Sequence, residues 1–253
     1  MRLMSSASAT ETAFGLRPVA ATRYVAPLRE GGSLPGLVEA DDDGVYVVKW
    51  TGAGQGPLAL VAEVIGIELA RALGLHVPEL VLVDVDSRLA DAEPDPEIQE
   101  LLRASAGINL GIDFLPGAIP FVPPAAGSLA ADVVWLDGWL MNIDRTPRNP
   151  NLLCWHGDMW LIDFGAALYP QHGAEDLPAQ AGHTFAALRE HVLAGDAEPL
   201  TAAHERLAGP ADAAIDAAVA AVPEAWLVRH PRAAYAAFLH ERLRLGTWLA
   251  EAR

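Results

Sequence analysis

The chain is poor in the residues that most often declare a protein's chemistry. It has one cysteine, Cys154. That excludes an internal disulfide framework and a Cys-x-x-Cys metal site, and it favours a cytoplasmic location. Cys154 itself reads as a small buried residue of a strand. The eight histidines include no His-Glu-x-x-His, so no histidine metal centre is expected. No uninterrupted apolar run is long enough to span a bilayer, and Met1 to Glu11 lacks the apolar core of a signal peptide. Positive charge is scarce: 17 Lys and Arg stand against 33 Asp and Glu, a net charge of −16. Such a chain repels nucleic acid and anionic membranes, and neither is expected as a direct partner. What is present is a 253-residue chain, 52% hydrophobic, with material for a sizeable core.

The most informative stretch runs from Asn142 to Gly165. It is polar, then apolar, then a turn at His156-Gly157-Asp158, then apolar again, ending in Asp163-Phe164-Gly165. This reads as a loop carrying an Asp and an Asn, a β-hairpin, and a second Asp at the hairpin's exit. Asn149 follows Asp144 by five residues and Asp163 follows it by nineteen. A phosphoryl-transfer site has this layout, with one Asp handling the attacking hydroxyl and an Asn and a second Asp holding the metal. The hairpin returns Asn149 towards Asp163, and two oxygen ligands plus phosphates suffice for Mg²⁺. Asn151 is a second candidate for the metal Asn; spacing favours Asn149. Arg145 and Arg148 flank the loop, either pairing with local carboxylates or contacting a phosphate or an acidic substrate.

Upstream residues supply the other parts such a site needs. Gly31, Gly32 and Ser33 form a glycine loop whose backbone N–H groups can approach phosphate. A strand follows, then an Asp41-Asp42-Asp43-Gly44 turn, then Val45 to Trp50 with Lys49 within it. Leu58 to Leu73 has helical spacing and closes at Gly74. Glu63 lies off its apolar stripe and is either a solvated carboxylate or the partner of Lys49. Glu79 to Asp84 reads as a strand, Asp84 to Glu97 as an exposed loop, and Glu97 to Ser105 as a short helix. Gly107 to Gly117 is an apolar connector on which adenine can stack and hydrogen-bond, with Asp113 and Leu115 as candidates. Ser128 is the expected N-cap of a helix over 129–141. Further helices are expected at 184–193, 200–207, 211–221 and 232–252. The result is an α+β chain, with a small β-rich lobe over residues 1–110 and a mostly helical lobe over 111–253.

The ordered set also carries a family resemblance. Asn142-Ile143-Asp144-Arg145-x-x-x-Asn149 resembles the catalytic loop of the HipA-like kinases, and Asp-Arg ahead of the Asn also resembles phosphatidylinositol kinases. Gly31-Gly32-Ser33, Val47-Val48-Lys49, Glu63 ahead of Leu69-Ala70, and Phe114-Leu115-Pro116-Gly117 fit the HipA-like pattern in order. The likeness is good over residues 30–170 and loose beyond. It implies a two-lobed protein-kinase-like fold and ATP- and Mg²⁺-dependent transfer to a hydroxyl of a protein Ser/Thr or of a small molecule. By the same likeness Asp144 would be the catalytic base or the group that orients the hydroxyl, Lys49 would hold the α/β-phosphates with Glu63 behind it, and Asn149 and Asp163 would take the metal. Gly31 to Ser33 would be the phosphate loop. Asn142-Ile143 stands where eukaryotic protein kinases carry a His, and no Ala-Pro-Glu follows Asp163. A nucleotide-binding pseudokinase and an aminoglycoside- or choline-type kinase are the competing readings.

Overall fold

The computed structural model describes residues 15–28, 34–54, 56–121 and 123–251. Five strands close into a barrel in the order β1-β2-β3-β5-β4: β1 (Arg17–Pro27), β2 (Gly36–Ala40), β3 (Val45–Lys49), β4 (Leu80–Val85) and β5 (Gly107–Asp113). β1 lies parallel to β4, and the other neighbours are antiparallel. The period-2 alternation of strand side chains divides the apolar residues between two cores. Val81, Val83 and Val85 of β4 join Val38, Tyr46, Val48 and Trp50 inside the barrel. Leu80 and Leu82, with Leu110 and Ile112 of β5, face outward onto helix α1 (Gly56–Ala72). Gly111 is needed in the barrel: a Cβ there would lie 2.5 Å from Val83 and 2.6 Å from Val81.

Helix α1 is buried from Leu60 to Ile67 because it has no solvent face over that stretch. The barrel covers one side. The other packs on α4 (Leu200–Ala220), which also touches α3 (Gly127–Leu140) and α5 (Arg232–Leu245). A short strand, β6 (Ile119–Pro120), pairs with the hairpin of β7 (Leu152–Trp155) and β8 (Asp158–Leu161). The hairpin turns over His156 and Gly157, both at positive φ (51° and 91°), as two-residue hairpin turns require. Asp158, expected in the turn, instead opens β8 opposite Trp155.

Several expected boundaries move. Helix α2 (Pro96–Ala104) starts at Pro96, capped by the Asp95 carboxylate accepting from Glu97 N–H at 3.0 Å. The expected loop over 84–97 contains a 3₁₀ turn, Ser87–Ala92, capped by Asp86. Helix α3 starts at Gly127 with Ala126 as N-cap, so Ser128 lies inside its first turn. Residues 200–207 and 211–221 belong to one helix, with Pro210 inside it. Proline removes one backbone hydrogen bond there, and packing against α1, α3 and α5 holds the helix through the break. Residues 184–193 contain only the 3₁₀ turn Ala186–Glu190. The C-terminal helix stops at Leu245 because Gly246 adopts φ 60°, and a 3₁₀ turn, Thr247–Ala250, follows. Among the described residues no helix is long and apolar enough to cross a membrane.

One arginine fastens the helical part. Arg242 is fully buried and has no carboxylate partner among the described residues. Its guanidinium donates to the carbonyls of Trp139 (2.9 Å), Gly138 (3.0 Å), Ala181 (3.1 Å) and His183 (2.8 Å). Two of those are end carbonyls of α3, where a cation also opposes the helix dipole. Burial lowers its pKa to about 10, still far above neutral pH. Arg242→Met would remove the guanidinium donor from all four carbonyls, leaving Gly138 O and His183 O only the weaker bonds from Met141 N–H and Thr247 Oγ1. It is expected to cost about 1–3 kcal/mol of unfolding free energy, read by urea denaturation. Arg242→Lys is expected to recover only part of the loss, because one ammonium cannot serve all four acceptors.

Candidate active site

Three elements meet at Lys49, the only lysine of the chain. It ends β3, and its Nζ lies 2.7 Å from Glu63 Oε2 on α1 and 2.7 Å from Asp163 Oδ1 at the exit of β8. Burial alone would lower the Lys49 pKa, but the two carboxylates outweigh it and hold the ammonium charged above its usual range. Glu63 is fully buried, which pushes its carboxyl up against the pull of Lys49. Its Oε1 has no hydrogen-bond partner among the described residues. Asp163 is held below the usual carboxylate range by Lys49, against the effect of burial. Its side chain is 42% exposed and so remains open to a ligand.

Asp144 sits on the loop after α3, near enough to Asp163 to feel its charge. Asn149 Nδ2 donates to Asp144 Oδ2 at 2.7 Å, and Asn151 Nδ2 reaches the same oxygen at 3.4 Å. Burial and the negative charge of Asp163 raise the Asp144 pKa. Asn151 has φ 50°, and its carbonyl accepts from Ile162 N–H at 3.1 Å, so its backbone is built into the hairpin. The side chain of Asn149 is exposed, and its amide oxygen makes no hydrogen bond among the described residues.

A buried polar group holds this loop in place. Asp137 lies in α3 among Val133, Val134, Leu136 and Trp139 and is fully buried. It accepts from Arg145 Nε at 2.5 Å, from Asn142 Nδ2 at 2.8 Å and from His191 Nε2 at 2.9 Å. Leu193 N–H donates to His191 Nδ1 at 3.0 Å, which leaves the ring proton on Nε2, facing Asp137. Asn142 Oδ1 then accepts from Asp144 N–H at 3.2 Å. Arg145 donates to the carbonyls of Asn151 (2.6 Å) and Ile162 (3.2 Å) and lies over the Phe164 ring, 4.8 Å from its centroid. Of the two readings of Arg145, the structure bears out pairing with a local carboxylate.

Phe164 is fixed from the other side by α1. A Cβ on Gly66 would lie 2.6 Å from it, so only glycine lets the helix approach this closely. The loop after Gly165 is anchored as well. Leu168 N–H donates to Leu140 O at 2.7 Å. Gln171, fully buried, donates to Leu58 O of α1 at 3.2 Å and accepts from Tyr235 OH at 2.9 Å.

Asp113 ends β5, in register with Tyr46 of β3. Leu115 follows it, buried, and its N–H has no hydrogen-bond partner among the described residues. Pro116 O accepts from Trp155 Nε1 at 3.0 Å, which ties the connector to the hairpin. Gly31, Gly32 and Ser33 lie outside the described residues. The flanking chain is joined by Leu28 N–H to Pro35 O at 2.7 Å.

The residues present fit a hard divalent cation. The Asn149 side chain is exposed and that of Asp163 partly so, with Oδ2 outside the bonds that Oδ1 makes to Lys49 and Gly165. Mg²⁺ takes few protein ligands, keeping waters and phosphate oxygens for the rest. Sequence reasoning missed Asp137, Asn142 and His191 as supports. For Asp137 a signal existed: a carboxylate inside Val-Val-Trp-Leu-Asp-Gly-Trp-Leu has no solvent face to occupy. His191 gave none.

Asp137→Asn is expected to cost about 3–5 kcal/mol of unfolding free energy, because Arg145 would stay buried without its counter-charge. Asp132→Asn, which removes the surface partner of Arg206, is expected to cost under about 1 kcal/mol. Burial opposes ionisation of Asp137, yet Arg145 and His191 hold its pKa below the usual range. The stabilisation is therefore full above the unfolded-state value of about 3.9 and is lost as pH falls through the lower folded value. Urea denaturation across acid pH checks both points, and equal small losses in the two variants would contradict them.

Comparison with known proteins supplies the fold family. A search of curated protein sequences gives no match. Among solved structures, the chain is similar to the Helicobacter pylori proinflammatory kinase CtkA. The TM-score is 0.57 at 13% identity, covering 94% of this chain and 96% of that one. It is also similar to the Golgi casein kinase with Mn/ADP bound, with a TM-score of 0.55 at 11% identity, over 93% of this chain and 74% of that one. A second structure of the Golgi casein kinase gives 0.55 at 11% identity, over 96% and 74%. At these identities the likeness establishes a protein-kinase-like fold, with a β-rich N-terminal part and a helical C-terminal part. The sequence itself matches the HipA-like kinase family over residues 22–245, most of its length, and the chain belongs to that family.

Proposed function

We propose that this kinase moves the γ-phosphoryl group of ATP, with Mg²⁺, to a hydroxyl acceptor, a Ser or Thr side chain of a protein. The observation that carries the reading is the meeting of Lys49, Glu63 and Asp163 beside the Asp144–Asn149 pair. Lys49, braced by Glu63, binds the α/β-phosphates. The connector at Asp113 and Leu115 receives the adenine, and Gly31 to Ser33 cover the phosphates. Asn149 is preferred to Asn151 as the metal Asn for its five-residue spacing from Asp144 and its exposed side chain. Asn149 and Asp163 would hold Mg²⁺, which when bound neutralises charge on the phosphate oxygens.

Asp144 accepts a hydrogen bond from the acceptor hydroxyl and aims its oxygen at the γ-phosphorus. The new O–P bond forms as the bond to the β-phosphate oxygen breaks, ADP leaves, and the hydroxyl proton passes to Asp144 and on to solvent. The raised pKa of Asp144 suits a group that takes and returns a proton. A protein acceptor is expected in the cytoplasm, with neither nucleic acid nor membrane as a direct partner.

With γ-labelled ATP and Mg²⁺, the wild type is expected to release or transfer label, and EDTA is expected to stop it. Asp144→Asn is expected to lower kcat by about 10²–10⁴-fold with little change in nucleotide affinity. Lys49→Met and Asp163→Asn are expected to weaken binding of Mg²⁺·ATP as well, read by calorimetry. Equal turnover in the wild type and Asp144→Asn would remove Asp144 from the chemistry.

A further inference from the structure

Arg148 stands apart from the other arginines. Among the described residues every other arginine is tied, to carboxylates as in Arg206–Asp132 or to main-chain carbonyls as in Arg242. Arg148 makes no hydrogen bond or ion pair with any described residue and is exposed. Among the described residues it is the one guanidinium left without a partner, in a chain that carries 33 acidic residues.

Its place is equally specific. Thr146 N–H donates to Asn149 O at 3.1 Å and Asn149 N–H to Thr146 O at 3.0 Å, so Pro147 and Arg148 form the tip of a tight turn. The base of that turn is bonded to the site through Asn149 Nδ2 and Asp144 Oδ2, 2.7 Å apart. The loop thus carries two arginines of opposite fate. Arg145 is buried and committed to Asp137, whereas Arg148 is presented to solvent at the tip of the turn whose base holds Asn149.

We propose that Arg148 receives an anionic group of the acceptor, a carboxylate or phosphate close to the accepting hydroxyl. The acceptor is then an acidic Ser/Thr segment. This deepens the kinase reading above and rests on it. A guanidinium fork binds carboxylate and phosphate bidentately, and no internal ion pair has to break first. Glu63, Asp144 and Asp163 would otherwise repel such an acceptor, so a local cation is what admits it. The charge of the whole chain is screened within about 8 Å at physiological ionic strength, while a direct contact on the loop survives.

The test uses the full chain with Mg²⁺ and γ-labelled ATP, and four sets of Ser peptides: flanked by Asp/Glu, by phosphoserine, by neutral residues, or by Lys/Arg. ATP hydrolysis without peptide is measured alongside. Wild type is expected to prefer one or both acidic sets over the neutral set by roughly tenfold or more in kcat/KM, the fold-change of one charge-assisted contact. The two acidic sets distinguish carboxylate from phosphate. Arg148→Ala should abolish the preference through KM, Arg148→Lys should keep part of it, and Arg148→Glu should turn it towards the Lys/Arg set. Circular dichroism checks that each variant is folded. An acidic preference that survives in Arg148→Ala overturns the proposal. So does parallel loss of transfer and of ATP hydrolysis with the preference intact, which would assign Arg148 to the nucleotide. If wild type hydrolyses ATP but labels no acidic peptide, the acceptor class is wrong. If it neither hydrolyses nor transfers, the kinase reading itself fails.

Discussion

A carboxylate buried in the middle of an apolar helix has to be paired, and the site is built on the way Asp137 is paired. Its two oxygens take Arg145, Asn142 and His191. Each bond fixes a different piece. Asn142 places the amide of Asp144, Arg145 holds both ends of the hairpin and stacks on Phe164, and His191 draws in the chain that follows. The ionic contact is therefore a positioning device. Desolvation offsets most of the Coulombic gain of a buried pair, whereas breaking it from one side is costly.

The Lys49 side of the site rests on an imbalance. One ammonium faces two carboxylates, drawn from a strand, a helix and a hairpin exit. No single local segment could assemble this triad. The barrel delivers Lys49, and α1, wedged between barrel and helical part, delivers Glu63 with no route to solvent. Gly66 allows α1 to close on Phe164, and Gln171 ties the first turn of α1 to α5. The excess negative charge and the exposed side of Asp163 suit a divalent cation carrying phosphates.

Much of this was legible in the sequence because it follows from local pattern. β-branched alternation gave β3 with Lys49 in it. The spacing from Asp144 to Asn149 and Asp163 gave a loop and hairpin, and the fold class followed from strands preceding helices. What failed depended on contacts between elements. Glu63, off the apolar stripe, read as a solvated carboxylate or as the partner of Lys49; the first assumes a wet face that α1 lacks there, and the second holds, with Lys49 Nζ 2.7 Å from Glu63 Oε2. Gly209-Pro210 looked like a helix break, but packing on three sides overrides a single missing donor. Asp158 was placed in a turn that His156 and Gly157 make alone. The anchoring roles of His191, Gln171 and Arg242 join residues far apart in the chain, and no local spacing encodes them. That Lys49 is the only lysine was readable from the start and was the strongest unused clue.

Nucleotide and metal are proposed to bind at Lys49, Glu63, Asp144, Asn149 and Asp163. A crystal structure with a non-hydrolysable ATP analogue and Mg²⁺ tests it directly. The account predicts phosphates against Lys49, metal on Asn149 and Asp163, and the γ-phosphate facing Asp144. A nucleotide seated away from Lys49 and Asp163 would contradict it.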